Sequence, residues 1–161
     1  MFHLHRTKLR GAAIGVCAAA LVVGTGLFTL PAQAQSPQAA PAAAAMREER
    51  ATAEVAEFFQ KYLDAVNQVS AQTPFQVREE FLSADLDKEL TVWGSEHKAD
   101  PVLRENKVPK TWSTTDGLKT ETEMKVIITE RWEDGTSRDV WYQVRLSDLV
   151  IVGLQDPTPA A

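Results

Sequence analysis

The most restrictive feature of this sequence is a three-residue connection, Glu133-Asp134-Gly135, between two segments in which apolar and polar residues alternate. A loop of this length that ends in glycine is typical of a type I turn followed by a glycine bulge, because the bulge needs a left-handed residue. Such a loop also fixes which residues of the two strands face each other. We therefore predict an antiparallel hairpin in which the numbers of opposed residues add up to 268.

The side chains on either side of the loop fit this register. Three apolar pairs share one face and two pairs combine opposite charges: Met124 with Val144, Val126 with Tyr142, Ile128 with Val140, Glu130 with Arg138, and Glu123 with Arg145. A slip of one residue would turn every apolar side chain to the other face of the sheet. The pattern therefore predicts one buried face and a single register.

Two further strands are predicted beside the hairpin. Thr111 to Asp116 is a first strand that ends in a turn at Asp116-Gly117, and Leu149 to Leu154 is a last strand. A turn at Ser147-Asp148 sets a second register, in which Ile151 lies opposite Val144 and Gly153 lies beside Tyr142. The carboxyl-terminal half is thus an antiparallel meander of about four strands.

Before residue 110 the apolar spacing is helical. One stripe runs through a long helix within residues 48–72, and Thr73-Pro74 is a cap followed by a first-turn proline that opens a second helix. The second helix is expected to bury Phe75, Phe81 and Leu82. Helices that precede a meander predict an α+β domain, spanning residues 47–155.

A third helix and a capped turn complete the helical half. Ser83 caps the third helix, which presents Leu86, Leu90 and Trp93 and is predicted to end at Gly94. Asp100-Pro101 repeats the combination of cap and proline and opens one short turn.

Residues 1–34 have the pattern of a cleavable signal peptide: basic residues, an apolar run, and Ala32-Gln33-Ala34 before the predicted cut. The chain is then secreted to the extracellular space. The alternative is that the apolar run is retained as a membrane anchor. Residues 35–46 are rich in Ala and Pro and predict a disordered spacer, and residues 156–161 predict a disordered tail.

Charge and cysteine content exclude several classes of protein. Residues 35–161 hold 14 basic and 22 acidic residues, a net charge of −8, which argues against a nucleic-acid partner. The single cysteine, Cys17, lies inside the apolar run, so the remaining chain has no disulfide, thiol nucleophile or thiolate metal site. No cofactor motif is present, and no membrane insertion is expected after cleavage.

The opening helix, VAEFFQKYLDAVN, followed by a strongly paired meander, resembles the NTF2-like (cystatin-like) roll. The segments ADPVLRENKVPKTW and VWYQVRLSDLVIVGLQD also resemble small exported actinobacterial proteins of unassigned function. The resemblance spans about Val55 to Asp156 and implies a curved sheet that wraps a long helix around a conical pocket. In rolls that perform chemistry, a pocket carboxylate acts as a base and a tyrosine stabilises an enolate.

Glu130, Tyr142 and Tyr62 are the catalytic candidates that follow from this resemblance. Glu130 interrupts an otherwise apolar face, as a pocket carboxylate would. Its predicted neighbour Arg138 favours an ion pair instead, which would remove the need for a raised pKa.

His97 and Asp100 are the candidates for a metal site. Their three-residue spacing could place two ligands together. Helix capping explains both residues fully, and we therefore predict no metal.

The aromatic residues suggest two surfaces. Trp93, Trp112 and Trp132 could line a sugar-binding cleft, although Trp93 and Trp132 are more simply core residues. The outer sheet face is predicted to carry five apolar residues: Ile127, Trp141, Val150, Val152 and Leu154. Such a face suits a partner protein or a second copy of the chain, as in a homodimer.

From these features we expect a non-enzymatic binding domain for an unknown protein or small molecule. It would use the roll pocket or the residues Trp141, Ile127, Val152 and Trp112. The alternative is a small pocket enzyme with isomerase-like or lyase-like acid–base chemistry on Glu130 and Tyr142.

Overall fold

The computed structural model describes residues 39–156, which form three helices followed by four strands. In chain order these are α1 (Ala39–Val66), α2 (Pro74–Phe81), α3 (Ala84–His97), β1 (Thr111–Lys119), β2 (Glu123–Arg131), β3 (Ser137–Arg145) and β4 (Ile151–Gln155). The fold is α+β, as predicted. The predicted signal peptide and residues 157–161 of the predicted tail lie outside the described residues. Within residues 39–156 no helix is both long and apolar enough to cross a membrane.

The four strands form one antiparallel sheet in the order β1-β2-β3-β4. The predicted register of β2 and β3 is confirmed at every pair, from Glu123 opposite Arg145 to Glu130 opposite Arg138. Gly135 has a φ of 81°, which is the left-handed conformation that the turn requires.

The two outer strands differ from the prediction. β1 runs on through Asp116-Gly117 to Lys119 and turns at residues 120–122, because a bulge between Asp116 and Lys119 absorbs the irregularity. A bulge also displaces β4 by one residue, so Gly153 lies opposite Gln143 rather than Tyr142. The shift pairs Leu154 with Tyr142 and turns it to the buried face, contrary to the prediction.

Helix α1 begins at Ala39, inside the segment predicted to be a disordered spacer. That prediction is wrong for residues 39–46, because alanine has the highest helix propensity and Pro41 falls within the first turn, where no preceding carbonyl needs its missing N–H. Its buried stripe includes Val55, Phe58 and Phe59.

Helices α2 and α3 begin at the predicted caps. Thr73 and Gln76 form a reciprocal capping box, and the Ser83 side chain accepts a hydrogen bond from the amide of Leu86. Two details were wrong: Phe75 is half exposed, and α3 continues past Gly94 to His97. Gly94 serves close packing instead, since a Cβ there would lie 3.3 Å from the carbonyl oxygen of Ala99.

The core lies between α1 and the inner face of the sheet, which is the face covered by the helices. Phe58 meets the Tyr142 ring edge-on at 6.0 Å, and Phe59 meets Trp112 at 5.2 Å. Helices α2 and α3 join the sheet at β4, where the amide of Ser83 donates to the carbonyl of Ile151. The helices thus cover the same face that carries Glu130 and Tyr142.

Candidate functional site

Glu130 is an ionisable residue that lies in the interior of the fold. Its side chain is fully buried on the inner face of β2, and neither carboxylate oxygen has a hydrogen-bond partner among the described residues. Burial raises the pKa of Glu130 to about 8, although the charge of Arg138 opposes the rise. The carboxyl group is therefore neutral at pH 7 and can donate a hydrogen bond.

The predicted ion pair between Glu130 and Arg138 is wrong. The two residues are opposed in the register, yet the Arg138 guanidinium turns to the loop that precedes β1. It donates to Glu105 Oε1 at 2.7 Å and to the Arg104 carbonyl at 2.6 Å. The long side chain satisfies its donors on the Arg104 carbonyl and the Glu105 carboxylate of the loop and leaves the buried carboxyl unpaired.

Tyr142 is the second buried polar group of the inner face. Its ring is fully buried and its hydroxyl has no hydrogen-bond partner in residues 39–156. Burial, together with the charge of Glu130, raises its pKa well above the ordinary value. Glu130 and Tyr142 share a sheet face on adjacent strands, two inner-face positions apart.

Tyr62 and Asp100 form a hydrogen-bonded pair beside these groups. The Tyr62 hydroxyl lies 2.9 Å from Asp100 Oδ2 and donates to the carboxylate. Asp100 Oδ1 also accepts the amides of Val102 and Leu103, each at 2.9 Å, as the predicted cap requires. Burial and the Asp100 charge both raise the pKa of Tyr62, so its hydroxyl remains a donor.

Arg104 belongs to the site and was not found from the sequence. It is 7% exposed, it has a left-handed φ of 55°, and its guanidinium lies 4.1 Å from the Trp93 ring centroid. Nη2 donates to the Leu154 carbonyl at 3.0 Å, whereas Nε and Nη1 have no hydrogen-bond acceptor among the described residues. Burial lowers its pKa, and Asp156, 3.8 Å from Nε, opposes that change.

We call Tyr62, Asp100, Arg104, Glu130 and Tyr142 the interior polar cluster. Asp100 acts electrostatically on each of the other four members. A left-handed arginine and three buried side chains with unsatisfied polar atoms are uncommon in a folded interior and concentrate at functional sites.

A surface groove of about 480 Å³ reaches the interior polar cluster at Asp100. We call it the α1–α2 groove, because the end of α1 and the loop before α2 form its walls. Its lining residues are Ala65, Val66, Gln68, Ser70, Ala71, Gln72, Thr73, Pro74 and Asp100. Since Asp100 also bonds Tyr62, one carboxylate joins the groove to the buried groups.

His97 is the last residue of α3, where the capping interpretation placed it. Its ring stacks on Trp93 at 4.2 Å, and Nδ1 lies 2.9 Å from the Trp93 carbonyl. Asp100 is engaged by Tyr62 and two backbone amides instead of pairing with His97. No group of three His, Cys, Asp or Glu residues within 39–156 has the spacing to hold a metal ion.

The three tryptophans of the predicted cleft are held by separate neighbours. Trp112 packs on Phe59, Trp93 lies between His97 and Arg104, and the Trp132 indole donates to the Lys107 carbonyl. Trp93 and Trp132 are half-buried, so their prediction as core residues was wrong. No two of these indoles are in ring contact within the described range.

On the outer face of the sheet, Ile127, Trp141 and Val152 are half-buried. The Lys125 ammonium lies 4.0 Å above the Trp141 ring and covers part of it. Trp112 is not on this face, because its partner Glu130 places it on the inner one. The homodimer through the outer face stays a prediction.

Comparison with known proteins adds one structural relative. A crystal structure at 2.10 Å resolution of a protein of unknown function from Bacteroides thetaiotaomicron VPI-5482 has a similar fold, with a TM-score of 0.59 and 15% sequence identity. The alignment covers 73% of this chain and 98% of that one. No protein-family model matches the chain, and no curated protein matches it in sequence. The likeness concerns the fold alone.

Proposed function

We propose that this chain is an exported, non-enzymatic binding domain that holds a small polar ligand where the α1–α2 groove meets the interior polar cluster. The observation that carries the proposal is the Glu130 carboxyl, buried on the inner sheet face with both oxygens unpartnered. The order of elements, three helices before a four-stranded meander, supports an NTF2-like roll as the scaffold.

The interior polar cluster lowers the stability of the fold unless its polar atoms find partners. A buried polar group without a partner costs about 1–3 kcal/mol of stability. Glu130, Tyr142 and Arg104 each contain such atoms, whereas an apolar residue would fill the same space without that cost. A ligand that hydrogen-bonds to them accounts for their presence.

The α1–α2 groove is the surface that we propose for the ligand, because it meets the interior polar cluster at Asp100. Asp100 lines the groove on one side and bonds Tyr62 on the other, so it connects the solvent to the buried groups. The other lining residues of the groove are uncharged, and several are polar, so they can hydrogen-bond a small polar ligand and fix its orientation.

The test is a screen of small amines, carboxylates and sugars by amide chemical shifts of the ¹⁵N-labelled protein. We expect at least one compound to shift the amides of residues 68–73, 100 and 102–104. Ala71→Trp should abolish binding, because the exposed Ala71 lines the groove and an indole would fill it. Ala53→Trp, at an exposed position of α1, is the matched control and should bind normally. The proposal is overturned if no compound shifts these amides or if Ala71→Trp binds as well as wild type.

Export is tested separately by mass spectrometry of the secreted chain. Cleavage after Ala34 gives an amino terminus at Gln35. An intact amino terminus in the membrane fraction would contradict secretion and favour the anchored form.

A second candidate, a small acid–base enzyme, is favoured by one observation. Burial raises the pKa of Glu130 to about 8, close to the working pH at which a general acid or base is most effective. The compounds that shift amides in the screen also separate an enzyme from a binding domain. An enzyme converts its compound into a new species, and Glu130→Gln stops the conversion. A binding domain returns the compound unchanged after hours of contact.

A further inference from the structure

We propose that the occupant of the α1–α2 groove is a small molecule with a primary ammonium group, whose charge is balanced by Asp100. This inference rests on the proposed function and specifies its ligand. The charges of the groove, the hydrogen-bonding state of Asp100 and the excess of acids behind it support the inference independently.

The first support is the charge of the groove lining. Asp100 is the one ionisable residue among the nine that line the groove. A carboxylate surrounded by uncharged walls attracts a cation strongly, since no neighbouring basic side chain in the lining competes with the ligand. The chain carries a net charge of −5, which also attracts cations from solution.

The second support is the state of the Asp100 carboxylate. Oδ1 accepts two backbone amides, whereas Oδ2 accepts only the Tyr62 hydroxyl. A carboxylate oxygen can accept about two hydrogen bonds, so Oδ2 can accept one more. The two amides and the phenol fix the carboxylate in place, and an ammonium donor then binds with little ordering of the protein.

The third support is the balance of charges behind Asp100. Three acids, Asp100, Glu105 and Asp156, act on this part of the interior together with two arginines, Arg104 and Arg138, so the acids are in excess by one. Arg138 is itself committed to Glu105 at 2.7 Å. Glu130 itself is fully buried and does not line the groove, so Asp100 is the acid that a ligand in the groove meets.

The experiment compares two probes of equal length, 1,4-diaminobutane and 1,4-butanediol, by amide shifts of residues 68–73, 100 and 102–104. We expect the diamine to bind and the diol to bind at least about tenfold more weakly, because only the diamine carries a positive charge that attracts the Asp100 carboxylate as well as donating a hydrogen bond to it. The protein variant Asp100→Asn should weaken diamine binding by a similar factor. Asparagine retains an oxygen for the amides of Val102 and Leu103, so the fold is preserved.

Asp85→Asn is the matched control, since it removes one negative charge from a side chain that is 93% exposed on α3. It should leave diamine binding unchanged. The inference is overturned if the diol binds as well as the diamine, if Asp100→Asn binds the diamine normally, or if only carboxylates or sugars occupy the groove. Those results leave the proposed function intact. If no compound shifts the amides of the groove, the inference and the proposed function are both overturned.

Discussion

The two faces of the sheet satisfy their polar groups in opposite ways. On the outer face the hydroxyl and carboxylate side chains bond to neighbours: Thr129 donates to Asp139 at 2.7 Å, and Arg131 donates to Ser113 at 3.1 Å. The Trp141 indole N–H is the exception on this face, since it has no partner among the described residues. On the inner face, where water is excluded, Glu130 and the Tyr142 hydroxyl have no partner among the described residues.

A sheet that had evolved for stability alone would show the reverse arrangement. Polar groups on the solvent side can rely on water, and unsatisfied groups in the interior cost the most. The outer face therefore has the features of a stabilised surface, and the inner face gives up stability around the interior polar cluster. This contrast is the reason that we propose a ligand site at the inner face of the sheet and not at the outer one.

The pH dependence of stability gives the largest expected effect. Glu130 has a folded pKa of about 8, above its ordinary value of 4.5, so the folded state keeps a proton that the unfolded state has lost. The contribution of this proton to the free energy of unfolding is fully present below pH 4.5 and is lost as the pH rises through 8. The loss is about 1.4 kcal/mol per pH unit, or up to about 4 kcal/mol between pH 5 and pH 8.

Glu130→Gln cannot titrate and should remove this dependence, as measured by urea unfolding at pH 5 and pH 8. Glu133→Gln, with a side chain that is 80% exposed, should retain the wild-type dependence. If wild type and Glu130→Gln lose stability equally between these pH values, the Glu130 carboxyl group does not stay protonated in the folded interior. The inner face would then hold no uncompensated acid, and the contrast with the outer face would no longer exist.

Two tyrosine substitutions of identical chemistry should have opposite effects of intermediate size. Tyr62→Phe removes a donor to a carboxylate and should lower the free energy of unfolding by about 2 kcal/mol. Tyr142→Phe removes a buried hydroxyl without a partner and should raise it by about 1 kcal/mol. Thermal and urea unfolding at pH 7 measure both.

Equal losses in the two variants would contradict this prediction. They would mean that the Tyr142 hydroxyl is bonded as well as that of Tyr62, and that the interior polar cluster is satisfied without a ligand.

The sequence predicted the sheet better than the site, for a physical reason. The register of β2 and β3 depends on a three-residue loop and on the two-residue period of a strand, and both are local. The position of Glu130 on the inner face followed from that register. Its isolation did not, because Arg138 reaches past it to the Arg104 carbonyl and Glu105 in a loop whose path is set by long-range packing.

Arg104 shows the same limit more clearly. Its burial depends on Trp93 from α3, the Leu154 carbonyl from β4 and a left-handed backbone, none of which has a signature near Arg104 in the sequence. The one-residue shift of β4 that buries Leu154 comes from a bulge that the alternation of apolar residues does not reveal.

Substitutions on the outer face should change the free energy of unfolding least, and a substitution of Lys125 tests this. Its ammonium lies 4.0 Å from the Trp141 ring, and Lys125→Met keeps the aliphatic cover while removing the charge. A cation–π contact of this kind contributes about 0.5–1 kcal/mol, so urea unfolding should show a loss no larger than that. Lys88→Met, at a side chain that is 77% exposed, should leave the free energy of unfolding unchanged. A loss above about 2 kcal/mol for Lys125→Met would exceed the contribution of any exposed cation–π contact. It would mean that Trp141 and its neighbours stabilise the fold as much as the inner-face residues do, because substitutions at a solvent-exposed surface rarely cost that much.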